Sequence, residues 1–129
     1  MSENNYKDLL KKIIQSNDNI RLAAICGNFG TITEKVQRAG ITLLLTERDT
    51  EKLIGEAIHS WQTRRKFSQK IGEGQYAMAV YGKIIRLSIP LNEYQILLIT
   101  LDNILETPKL IDDIHKILQK STSVVLEYN

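Results

Sequence analysis

The sequence predicts an α/β (α+β) fold: a five-stranded mixed or antiparallel sheet with helices on both faces, in the order α-β-β-α-β-β-β-α. Three observations carry this. Residues 76–101, YAMAVYGKIIRLSIPLNEYQILLITL, hold three strand patterns joined by turns too short for a crossover, so they form an antiparallel meander. Two further strand patterns stand earlier in the chain, at 20–26 and 31–36. A long helical pattern precedes the meander and a shorter one follows it.

Taken in order, Leu9, Leu10, Ile13 and Ile14 repeat at helical spacing and predict a first helix over 5–16, ended by the polar run Ser16-Asn17-Asp18-Asn19. Residues 20–26, IRLAAIC, are apolar in both alternating sets except for Arg21, which predicts a central strand covered on both faces. Gly27-Asn28-Phe29-Gly30 is a turn, because Gly and Asn tolerate positive φ. The next strand, 31–36, sets Ile32 and Val36 on one face against Thr31, Thr33 and Lys35 on the other. That half-polar pattern suits an edge. Residues 37–46 leave two readings open: a strand on the alternation of Ile41, Leu43 and Leu45, or an apolar loop tucked under the next helix.

Thr46 followed by Asp49 predicts a capping pair for a second helix running to Ile71, where Gly72 and Gly74 stop it. At about 100° per residue from Leu53, the positions Ala57, Trp61, Ile54 and Ile58 fill an apolar sector about 140° wide, and Arg64 and Arg65 fall inside it. The stripe thus turns from apolar to basic halfway along. Within the meander, strand 95–101 is apolar on both faces and central. Strand 84–90 sets Ile85, Leu87 and Ile89 on one face and Arg86 and Ser88 on the other. Strand 76–81 carries no Lys, Glu or Pro although the meander's order puts it at an edge. An unguarded apolar edge of this kind is expected to be paired with something. Thr107-Pro108 starts a last helix through residue 119, with one stripe from Leu110, Ile111, Ile114, Ile117 and Leu118. The tail after it either adds an edge strand at Val124–Leu126 or frays.

The chain has 129 residues, 43% hydrophobic and 25% charged, with a net charge of +2. These values fit a single domain over 1–129 and give no overall basic field of the kind a nucleic-acid binder uses. Cys26 is the only cysteine, which removes an internal disulfide and suits a reducing cytoplasm. The N-terminal MSENNYKDLLKK has no apolar signal-like region, and no run approaches the ~18 apolar residues of a membrane span. The expectation is a cytoplasmic protein without a membrane role.

The element order, the Gly27–Gly30 turn, the Gly72-Glu73-Gly74 helix exit and the tight Gly82-Lys83 turn resemble the roadblock family of the profilin-like superfamily, which includes dynein light chains and small prokaryotic regulators of GTPases. The resemblance covers about residues 5–119. The stretches YAMAVYGKIIRLSIPL and WQTRRKFSQKIG are most similar to small archaeal proteins of this type. The resemblance implies sheet order 2-1-5-4-3 and a homodimer made by strand 76–81 and the long helix. Its interface would hold Tyr76, Ala77, Met78, Ala79, Val80 and Tyr81 with Ile58 and Trp61. It also implies a protein partner such as a small GTPase. The long 37–46 connection and the Arg64-Arg65-Lys66 cluster depart from the family pattern.

No residue cluster specifies a reaction, so the expectation is a non-enzymatic module needing no cofactor. His59 and His115 lie on different helices without a ligand-spaced neighbour, and no metal is expected. No nucleophile elbow is present, and the Gly27–Gly30 turn lacks the lysine and spacing of a phosphate loop. Cys26 at a strand end reads as a small buried hydrophobe. The one set that points to a ligand is basic: Arg64, Arg65, Lys66 and Lys70 late in the second helix, with Lys83 and Arg86 on the meander. Gathered together they would hold an anion, whether nucleotide, metabolite or nucleic acid. The competing reading is a solvated helix end complementing its own dipole.

Overall fold

A computed structural model of the chain describes residues 3–27, 30–103 and 107–120. Its elements are α1 (Glu3–Ser16), β1 (Ile20–Gly27), β2 (Ile32–Gln37), α2 (Glu47–Arg65), the single turn α3 (Ser68–Ile71), β3 (Ala77–Val80), β4 (Ile84–Asn92), β5 (Gln95–Asp102) and α4 (Thr107–Lys120). The five strands form one sheet in the order β2-β1-β5-β4-β3, every neighbouring pair antiparallel. That is the order the resemblance implies. β1 and β5, the two strands apolar on both faces, lie inside the sheet, while β2 and β3 are its edges.

Helices cover both faces. On the first, Leu9, Leu10 and Ile13 of α1 and Leu110 and Ile114 of α4 pack on Ala23, Ile25, Leu87, Leu97 and Ile99. Each of these larger side chains contributes about 1.5–3 kcal/mol by leaving water. On the second face, Ile54, Ile58 and Trp61 of α2 pack on Ala24, Cys26, Ile96 and Leu98. Thr46 and Asp49 form the expected reciprocal cap: Asp49 N–H donates to Thr46 Oγ1 (3.1 Å) and Thr46 N–H to Asp49 Oδ2 (3.2 Å).

Several expectations need correction. The second helix does not run to Ile71. It ends at Arg65 because the last turn tightens to i→i−3 bonds (Lys66 N–H to Thr63 O, Phe67 N–H to Arg64 O), and the Ser68 hydroxyl takes the Arg65 carbonyl at 2.9 Å. Residues 41–46 form no strand, and Leu43 and Leu44 are half-exposed rather than tucked under α2. Ile32 and Val36 do not share a face. A register shift in the β1–β2 pairing at Ile25/Cys26 turns Ile32 toward the second core and leaves Val36 against the first. The tail beyond residue 120 and the Asn28-Phe29 pair lie outside the described residues. The flanks of that turn are closed by Gly27 N–H to Thr31 O and Gly30 N–H to Gly27 O, with Gly30 at φ 77°.

Arg38 escaped the sequence reading. Its guanidinium donates to the carbonyls of Ile20 (2.7 Å), Asn17 (2.7 Å) and Ile14, fastening the end of α1 to the start of β1. No periodic signal marks a residue that works this way.

Candidate functional site

One helix is about 10 Å across, whereas four inter-strand spacings make the sheet about 19 Å wide. The first face has two helices and is closed. Among the described residues the second has only α2, so its flanks stay open. Between α2 and β3 runs a groove of about 190 Å³, lined by Leu53, Glu56, Ala57, Met78, Tyr81 and Arg64 among others. On the other flank, between α2, the 43–45 segment and the β1–β2 side of the sheet, lies a cavity of about 910 Å³. Arg86 lines both.

The β3 edge borders the groove. Among the described residues β3 pairs only with β4, in the register Ala77–Ser88, Met78–Leu87, Ala79–Arg86 and Val80–Ile85. Ala77 and Met78 are half-buried, while Ala79 and Val80 are exposed, as are the flanking Tyr76 and Tyr81. Tyr81 N–H to Ile84 O (2.8 Å) closes the Gly82-Lys83 turn. The Tyr76 ring lies 6.2 Å from that of His115 on α4. The other edge is different: β2 exposes Lys35, and its Glu34 lies 4.0 Å from Lys7.

Two residues assigned to the interface by the resemblance lie elsewhere. Trp61 is 2% exposed and Ile58 5%, so both belong to the subunit's own core. Trp61 Nε1–H donates to the Ser88 hydroxyl at 2.9 Å, a bond from α2 to β4 that satisfies both buried polar groups. The chain after α3 crosses this indole at Gly74, where a Cβ would stand 2.5 Å from Trp61 Cζ3. Glycine there is a packing requirement.

Of the basic set, only Arg64 and Arg86 share a groove, the one beside β3; the others lie apart. Arg65 donates to the carbonyls of Asn92 (2.9 Å) and Glu93 (3.0 Å), holding the β4–β5 turn. Arg64 lies over the Trp61 ring at 4.8 Å and lines the groove. Lys66, Lys70 and Lys83 are exposed. Arg86, which the alternation places with Ser88 on the second face, is not shown to water: it is 8% exposed. Among the described residues it has no hydrogen-bond or ion-pair partner. Burial pulls its affinity for a proton below the ordinary arginine range, against the pull of Tyr81 and of Cys26. Cys26, fully buried beneath α2, has its thiol pushed up to about 12 by burial, with Arg86 opposing. At neutral pH it is a protonated core residue. Among the described residues no group of three His, Cys, Asp or Glu side chains could hold a metal ion, and no helix is long and apolar enough to cross a membrane.

No protein-family model matches the sequence, and no curated protein matches it. Solved structures do match the fold. The chain superposes on a structure described as MglB with tetrameric arrangement at TM-score 0.73, 9% identity, covering 98% of this chain and 91% of that one. It superposes on a Roadblock/LC7 domain from Streptomyces avermitilis at TM-score 0.69, 8% identity, covering 93% and 97%. Profilin of Schizosaccharomyces pombe matches at TM-score 0.56, 14% identity, covering 91% and 98%. The chain therefore has the roadblock/LC7 variant of the profilin-like fold. At these identities the likeness is one of architecture.

Proposed function

We propose that this protein is a non-enzymatic, homodimeric interaction module of the roadblock type, in which β3 pairs with its counterpart to join two sheets and the doubled surface recruits a protein partner. A small GTPase is the partner class the resemblance implies. One observation carries the reading: among the described residues β3 presents an unpaired backbone edge with no charge along it, while β2, the other edge, carries Glu34 and Lys35. Natural sheets guard a free edge with charge, proline or a bulge. The bare edge and the adjoining groove suit burial by a second copy, through backbone hydrogen bonds and contacts of Tyr76, Met78, Val80 and Tyr81. The neighbour described as MglB with tetrameric arrangement agrees with an assembling fold.

Sedimentation velocity at micromolar concentration tests it. The expected mass is twice 14.7 kDa, and Val80→Lys, at an exposed position that leaves the core untouched, is expected to give a folded monomer. A wild-type monomer across the accessible concentration range sinks the proposal.

A further inference from the structure

A buried, unpaired guanidinium is costly, because its lost hydration is replaced by nothing. Among the described residues Arg86 is in that position, at the wall of a cavity large enough for a small molecule, for which about 300–1,000 Å³ is usual. The charges around the cavity are unevenly placed. Arg21 is already committed, to Asp102 at 3.0 Å and to the Thr42 carbonyl. Glu34 reaches toward Lys7. Lys35, Glu47 and Glu51 are exposed. Among the described residues Arg86 is thus the one buried charge. The apolar share of the wall comes from Leu22, Ile32, Leu43, Leu44, Leu45 and Ile84.

We propose that this cavity binds a molecule with one carboxylate on an apolar body, the carboxylate meeting Arg86 and the body lying against Leu22, Leu44 and Ile84. The polarity of the wall selects this class. A single anionic head satisfies the guanidinium in a charge-assisted pair, and the body covers the half-exposed leucines of the 43–45 segment. A polyanion such as a nucleotide would bring further negative charge toward Glu47 and Glu51. The site lies within one subunit, on the flank of α2 away from β3, so it does not depend on the proposed dimer.

Dodecanoate below its micellar concentration is the probe, with dodecanol as its uncharged counterpart, and calorimetry with methyl-labelled NMR as the readouts. The wild type is expected to bind dodecanoate at least about tenfold more tightly than dodecanol, with shifts at the methyls of Leu22, Leu44 and Ile84. Arg86→Met is expected to remove that preference. Leu44→Asp, at an exposed position that spares the fold, is expected to weaken dodecanoate more than dodecanol. Val80→Lys is expected to bind dodecanoate as the wild type does, which separates this site from the copy-to-copy edge. The proposal is overturned if dodecanoate does not bind, if the two probes bind equally, or if Arg86→Met keeps the preference. It is equally overturned if Arg86→Met leaves dodecanoate untouched and instead weakens self-association, because Arg86 would then serve the groove beside β3.

Discussion

The two faces of the sheet solve the same covering problem differently. On the first, α1 and α4 lie side by side and the strands answer with unbroken apolar rows: Ala23 and Ile25, Leu97 and Ile99, Ile85 and Leu87. On the second, α2 is the one helix among the described residues, and the row on β4 reads Arg86 and Ser88 between apolar neighbours. Two helices about 10 Å wide span five strands; one does not. The first face thus serves stability. The second leaves two open flanks with a cation between them, which is where binding is to be sought.

Mutations of opposite sign sharpen the contrast. Leu97→Ala opens a hole in the first face at a fully buried position and is expected to lower unfolding free energy by about 2–5 kcal/mol, read from urea denaturation of the folded dimer or monomer. Arg86→Met is expected to raise stability by about 1–4 kcal/mol, because it replaces an uncompensated buried charge by an apolar chain of similar reach. A loss of stability there would mean that Arg86 is structural and that the two faces are built alike. Gly74→Ala forces a methyl onto the Trp61 ring and is expected to cost about 1–3 kcal/mol. In a Trp61→Phe background, which removes the obstructing part of the indole, that cost should shrink. An unchanged cost would place its origin in the backbone of residues 72–76.

Much of the fold was legible because it rests on local periods. The doubly apolar runs at 20–26 and 95–101 announced two inner strands, the meander's order put 76–81 at an edge, and Thr46 with Asp49 announced a helix start. The errors came where contacts distant in sequence intervene. Arg65 lies in the apolar sector of α2 by angle, yet its guanidinium is claimed by the carbonyls of Asn92 and Glu93. That bond and the Ser68 hydroxyl mark where the helix stops. Ile32 and Val36 parted faces through a register shift that alternation alone does not encode. Trp61 was placed on the right side of its helix, but only Gly74 crossing above it shows that the ring is sealed inside the subunit.

The amino-acid order alone determined the main helices and strands, that 20–26 and 95–101 are central, and that Arg86 shares a face with Ser88, since side-chain periodicity is a property of neighbours along the chain. Tertiary structure decided how deep that arginine lies, that nothing in the described chain answers its charge, and that a cavity opens beside it. Depth and partnership depend on how much of a face its covering helix reaches. That width is set by the packing of elements far apart in sequence.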